Sequence, residues 1–157
     1  MREITPRRAR AGDVPHIQRL VNFYADRGDM LGRSLNEIYE NLRDFFVVEA
    51  DGDIVGCAAC HVTWADLAEV KSLAVADGWQ GKGLGTTLLE ACLSDACVLG
   101  LPTVFTLTYR PEFFERHGFH RVDKNELPQK IWAECIRCVK FPDCGEIALL
   151  RRLDIQP

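Results

Sequence analysis

No segment of the 157-residue chain is apolar over the roughly 20 residues that a bilayer-crossing helix requires. The opening Met1-Arg2-Glu3-Ile4-Thr5-Pro6-Arg7-Arg8 has no apolar stretch behind its charges, so it does not read as a secretory signal. The cytoplasm is therefore the expected location, with no membrane partner. Excess positive charge is missing too: 19 Lys and Arg stand against 23 Asp and Glu, a formal net charge of −4. Arg7, Arg8 and Arg10 are too local to build the basic face that nucleic acid needs, which excludes that partner class. Repeats and low-complexity segments are absent. So is an even cysteine count: seven cannot all pair within one chain, and Cys57, Cys60, Cys92 and Cys97 lie in apolar runs. Reduced thiols packed as small apolar residues fit that placement better than a disulfide framework.

What is present is ordinary for one soluble domain. With 47% apolar and 27% charged residues, the chain can bury one sizeable core, so residues 1–157 are expected to form a single domain without a linker. The most informative stretch is Gln80-Gly81-Lys82-Gly83-Leu84-Gly85, which follows the apolar run Val70-Lys71-Ser72-Leu73-Ala74-Val75 and opens a helical pattern through Leu84, Leu88, Leu89, Cys92 and Leu93. Strand, glycine-rich turn and helix make an anion site. Glycine lets the backbone approach a ligand, and the free N–H groups of a helix's first turn suit a phosphate. The spacing is not that of the dinucleotide fingerprint, and the Ser or Thr that a P-loop needs for magnesium is missing. The bland alternative is a plain turn with Lys82 as a solvated charge.

The pattern does match Gln-x-x-Gly-x-Gly, and in register and context it resembles the pyrophosphate loop of the GNAT superfamily of acyl-CoA-dependent N-acetyltransferases. A second landmark in the right order is Pro111-Glu112-Phe113-Phe114-Glu115-Arg116-His117-Gly118-Phe119, which resembles the superfamily's later helix and closing Gly-Phe. Three segments are similar to the acetyltransferase domain of bacterial N-acetylglutamate synthases, particularly the short forms without a kinase-like domain. They are Leu31-x-Arg33-Ser34, Glu69-Val70-Lys71-Ser72-Leu73-Ala74-Val75, and Leu107-Thr108-Tyr109-Arg110-Pro111-Glu112-Phe113-Phe114; Glu126-Leu127-Pro128-Gln129-Lys130 continues the likeness.

The order of elements fits that resemblance. A strand is expected over residues 3–9. A first helix is expected to be capped by Asp13, with Pro15 in its first turn and Ile17, Leu20, Val21 and Tyr24 on one face. Ser34 and Glu37 form a capping box for a second helix carrying Leu35, Ile38 and Leu42. Asp51-Gly52-Asp53 marks a hairpin, and an antiparallel meander follows to Val75. Then come a helix over about 83–99, a strand over 103–108, a short helix over 111–117 and a strand from near Phe119. The resemblance implies a mixed α/β fold, the GNAT fold, with a sheet splayed near its middle and flanked by helices.

It also implies acetyl-CoA as co-substrate, held by the backbone around Leu73, Ala74 and Val75, by Gln80, and by the amides of Gly81 to Gly85 (Gly81, Lys82, Gly83, Leu84, Gly85). The implied acceptor is L-glutamate, acetylated on its α-amine by direct attack, the first step of arginine synthesis. A dicarboxylate needs cations to offset the desolvation of its charges. Arg33, Lys71 and Arg110 are the candidates, with Leu31 beside them in the cleft wall. Arg33 and Arg110 have the alternative of solvated surface charges, whereas a lysine within an apolar strand needs a partner. Glu69 is the candidate base, or equally the partner of Lys71, since residues two apart on a strand share a face. Many superfamily members place a tyrosine four residues before the Gly-Phe pair; here Phe114 stands there, leaving Tyr109 as the candidate acid or as a core aromatic.

No metal is expected. Cys135-x-x-Cys138 with Cys144 has soft-metal spacing, but a closed zinc site needs four ligands, and Cys57-x-x-Cys60 lies in a strand where the two point to opposite faces. Homodimers are common among such enzymes, so a homodimer is the expected assembly. The remaining alternatives are a GNAT enzyme for another small amine or a protein N-terminus, and a non-catalytic acetyl-CoA- or metal-binding regulatory module.

Overall fold

A computed structural model describes residues 4–127 and 146–155. Among these, seven strands form one sheet in the order β1-β2-β3-β4-β5-β7-β6. They are β1 (Arg7–Arg8), β2 (Phe45–Ala50), β3 (Asp53–Trp64), β4 (Leu67–Val75), β5 (Thr103–Thr108), β6 (His120–Val122) and β7 (Ile147–Arg152). The helices are α1 (Val14–Ala25), α2 (Leu35–Glu40), α3 (Leu84–Val98) and α4 (Pro111–Glu115).

The hairpin turns at Asp51 and Gly52, whose φ values of 53° and 84° match the twist of tight hairpin loops. It sets Ala50 opposite Asp53, and β2, β3 and β4 follow as an antiparallel meander. The meander buries two faces. Val48, Val55, Ala58, Cys60, Ala68 and Val70 pack beneath Leu88, Leu89 and Cys92 of α3, while Val47, Cys57, Ala59 and Ala74 pack against Ile17, Val21 and Tyr24 of α1. Cys57 and Cys60 thus lie on opposite faces, as strand alternation requires.

Two features open the sheet in its middle. The parallel pairing of β4 with β5 covers only Leu67, Ala68 and Glu69 against Thr103, Val104 and Phe105. Within β4 the register against β3 slips between Lys71 and Ala74, and Ser72 there adopts a φ of 56°, unusual for a residue with a side chain. The extra residue reverses the alternation. Leu73 and Val75 turn to the α3 side, and Ala74 faces α1.

Some expectations change on folding. The first strand shrinks to Arg7–Arg8. Asp13 does not cap α1: its carboxylate accepts the Arg10 backbone N–H at 2.7 Å and both terminal nitrogens of Arg7 at 2.8 and 3.1 Å. A nearby guanidinium outcompetes the helix amides for a charged acceptor. Ser34 does cap α2, accepting the Glu37 N–H at 3.1 Å. Leu35 is exposed, because α2 is too short to bury more than the turn carrying Ile38. Helix α4 stops at Glu115 rather than 117.

Candidate active site

The parting of β4 and β5 forms a cleft of about 430 Å³. It is lined by β4 from Val70 to Val75 and by Thr106, Leu107 and Thr108 of β5. Beyond Glu69 the β4 edge has, among the described residues, no strand partner on the β5 side, so an extended ligand can pair with it as an added strand. Thr106 spans the gap, its hydroxyl donating to the Val70 carbonyl at 2.9 Å.

One end of the cleft is the glycine loop. Gly81 and Gly83 adopt φ values of 76° and 83°, and Gly83 occupies the N-cap of α3 without a side-chain cap. A Cβ at either glycine would meet nothing within 4 Å, so these residues are glycine for their backbone conformation and not for want of room. The first-turn amides of this fifteen-residue helix have no side-chain cap, and with the helix dipole behind them they are of the kind that suits an anion. Gln80, Gly81, Gly83, Leu84 and Gly85 all line the cleft. Lys82 does not; its ammonium lies 5.7 Å from the Trp79 ring centroid, at the rim.

The Gln80 side chain folds back onto Tyr24 and Val75. Its Nε2 donates to the Tyr24 hydroxyl at 2.6 Å and to the Val75 carbonyl at 3.3 Å, and the Tyr24 hydroxyl itself donates to that carbonyl. Burial chiefly, with the Asp77 charge nearby, raises the Tyr24 phenol above its ordinary pKa, so it stays a donor. Nothing in the sequence marked Tyr24 as more than a core residue.

The cleft lining also carries the candidate acceptor-binding groups. Lys71, Arg110 and Asp29 line the cleft, with Arg110 Nη2 3.9 Å from Asp29 Oδ1. Ser72 lines it too, and among the described residues its buried hydroxyl has no hydrogen-bond partner. Glu69 sits on the same face of β4 as Lys71 but before the strands part. It is 9% exposed, opposite His61, and does not line the cleft. Tyr109 lies in an adjoining recess that shares Asp29, Arg110 and Arg116 with the cleft. Phe114 is buried against Phe113 and Phe119 while lining the cleft, a hydrophobic wall with no proton to give.

Leu31 and Arg33 belong to the α1–α2 connection and do not line the cleft. The Arg33 backbone is clamped by Asn22, whose side chain accepts the Arg33 N–H at 3.0 Å and donates to its carbonyl at 3.2 Å. The Arg33 guanidinium reaches Glu37 at 3.4 Å. Among the described residues no group of three or more metal-ligating side chains assembles, and no helix is long and apolar enough to cross a membrane. Cys135, Cys138 and Cys144 lie outside the described residues.

Residues 41–121 match the family described as the acetyltransferase (GNAT) domain. An uncharacterised N-acetyltransferase of Chlorobaculum tepidum is 40% identical over 94% of this chain and 95% of its own. An amino-acid acetyltransferase of Mycobacterium tuberculosis is 39% identical over 83% of this chain and 76% of its own. Among solved structures, Rv2747 of Mycobacterium tuberculosis, in complex with CoA and NLQ, superposes with a TM-score of 0.82 at 34% identity, covering 96% of this chain and 99% of that one. The N-acetylglutamate synthase of Neisseria gonorrhoeae, in complex with coenzyme A and N-acetyl-glutamate, gives a TM-score of 0.88 at 30% identity; the match spans 98% of this chain but 36% of that one. The glycine loop at the head of α3, the parted strands and these likenesses agree: the chain belongs to the GNAT family of acetyltransferases.

Proposed function

We propose that the protein moves the acetyl group of acetyl-CoA to the α-amine of L-glutamate, as an N-acetylglutamate synthase in the first step of arginine synthesis. The observation that carries this reading is the pairing of two chemistries in one cleft. Glycine-loop amides suited to an anion line the same cleft as the cations Lys71 and Arg110. A diphosphate-bearing thioester fits the first and an acidic amino acid the second. Relatives named for amino-acid acetylation, and a solved one holding coenzyme A and N-acetyl-glutamate, support the same choice.

In this mechanism the pantetheine arm pairs with the open β4 edge, and the backbone around Leu73, Ala74 and Val75 polarises the thioester oxygen. The neutral amine of glutamate attacks the thioester carbon, and the tetrahedral intermediate collapses with expulsion of the CoA thiolate. Glu69 takes the ammonium proton through a water, since Glu69 does not itself line the cleft. Tyr109, from the adjoining recess, returns a proton to the leaving sulfur. Lys71, Arg110 and Arg33 hold the substrate carboxylates, Arg33 by exchanging Glu37 for the ligand.

The test is release of free CoA thiol from acetyl-CoA by purified, metal-free protein with L-glutamate, L-glutamine, L-aspartate, L-lysine or no amine. Release that depends on glutamate is the expected result. Dependence on glutamine alone, or on none of these amines despite CoA binding, would replace glutamate by another acceptor or make the protein a regulatory module.

A further inference from the structure

The glycine loop has to hold its amides ready, and Gln80, the residue at its head, is hydrogen-bonded to groups that precede the loop. Its carboxamide spends both visible contacts on Tyr24 Oη and the Val75 carbonyl. A carbonyl can only accept, so the amide nitrogen must face it, and the orientation of the carboxamide is fixed by that bond. The Tyr24 hydroxyl completes a three-membered ring of hydrogen bonds by donating to the same carbonyl. On the other side of the peptide, the Ala76 N–H donates to Val55 at 2.8 Å. The Val75–Ala76 peptide, where β4 hands over to the loop, is therefore pinned from both sides.

We propose that Tyr24 and Gln80 form a brace, with Gln80 acting as a positioning residue and not as a pyrophosphate ligand, that preforms the loop of residues 76–85 for acyl-CoA. Tyr24 is 9% exposed and rooted in α1 against Val47 and Cys57, so it is a rigid anchor for a residue 56 positions away. The Tyr24 carbonyl also accepts the N–H groups of Arg27 at 3.1 Å and Asp29 at 3.0 Å, at the start of the connection that carries Met30 and Arg33. Tyr24 thus joins the acyl-CoA loop, through its hydroxyl, to the start of the α1–α2 connection, through its backbone carbonyl. An isolated loop would spend affinity on ordering its backbone at each binding event; a braced one does not.

The inference rests on the acetyl-CoA part of the reading above and is independent of which amine accepts the acetyl group. Two measurements on the full chain test it without any amine. The first is amide hydrogen exchange over residues 76–85 in the ligand-free protein, comparing wild type with Tyr24→Phe and Gln80→Ala. The second is CoA affinity by calorimetry for the same proteins and the double variant. Faster exchange in both single variants, with CoA binding weakened about three- to tenfold in each and no further in the double variant, is the expected result. If exchange in ligand-free Gln80→Ala matches wild type while CoA binding falls, the carboxamide contacts the ligand directly and the brace is overturned. Losses that multiply in the double variant overturn it as well. Should Tyr24→Phe fail to fold, the exchange profile of Gln80→Ala, whose side chain lies at the surface, decides alone.

Discussion

The Thr106 hydroxyl donates to the Val70 carbonyl at the point where β4 and β5 part, a 2.9 Å bond between side chain and backbone that replaces the next rung of the ladder. It lets two parallel strands separate without stranding a buried carbonyl. Thr106→Val keeps the shape and removes the donor. The expected loss is about 1 kcal/mol of stability, seen as a fall of about 2–4 °C in the thermal midpoint. An unchanged midpoint would mean that water serves that carbonyl equally well.

Gly83 tests the anion cradle. With φ at 83° and nothing within 4 Å of a Cβ, Gly83→Ala adds backbone strain and no clash within the protein. A left-handed conformation costs a non-glycine residue about 1–2 kcal/mol, and relieving it by shifting the loop would weaken CoA binding about 5- to 30-fold. CoA titration into the variant measures this. Binding as tight as wild type would move the pyrophosphate away from these amides.

Arg33 lies outside the cleft lining, with Glu37 as its carboxylate partner. If the substrate displaces Glu37, Arg33→Ala should raise the acceptor KM about 10- to 100-fold, the worth of a charged hydrogen-bonded pair, and leave the acetyl-CoA KM nearly unchanged. Steady-state kinetics with each substrate varied in turn separates the two. Equal effects on both constants would remove Arg33 from the carboxylate site.

Asp13 supplies a pH-dependent test of stability. Its hydrogen bonds from Arg7, the largest influence, hold its carboxyl below the ordinary range despite burial. A lowered folded pKa contributes stability that is present above the unfolded value of about 3.9 and disappears as the pH falls through the folded one. Asp13→Asn should therefore lower stability by about 1–3 kcal/mol at pH 7, with the gap to wild type narrowing below about pH 4. Urea unfolding midpoints of both proteins at pH 7 and pH 3 give the comparison.

Much of this was legible in the order of residues, because the signals are local. Asp51-Gly52 makes its hairpin with its own two dihedral angles, Ser34 caps the helix that begins at the next residue, and Gly81 and Gly83 bend the loop that α3 continues. Each depends on neighbours a few positions away, so composition and spacing suffice.

Other features depend on register and distance in space. The slip at Ser72 reverses which side of β4 faces α1, and a serine at positive φ leaves no mark in an apolar run. Asp13 has the residue type and position of a helix cap, but the Arg7 guanidinium that folding brings beside it takes the carboxylate. The joining of Tyr24 to Gln80, and the withdrawal of Glu69 from the cleft that Lys71 lines, follow from how α1 and β5 pack on β4. The sequence by itself determined the elements and the glycine cradle, since short-range backbone preferences act wherever those residues stand. Only the tertiary structure decided the partners of its polar groups, because a hydrogen bond between distant residues exists only once the packing of the core has set the distance between them.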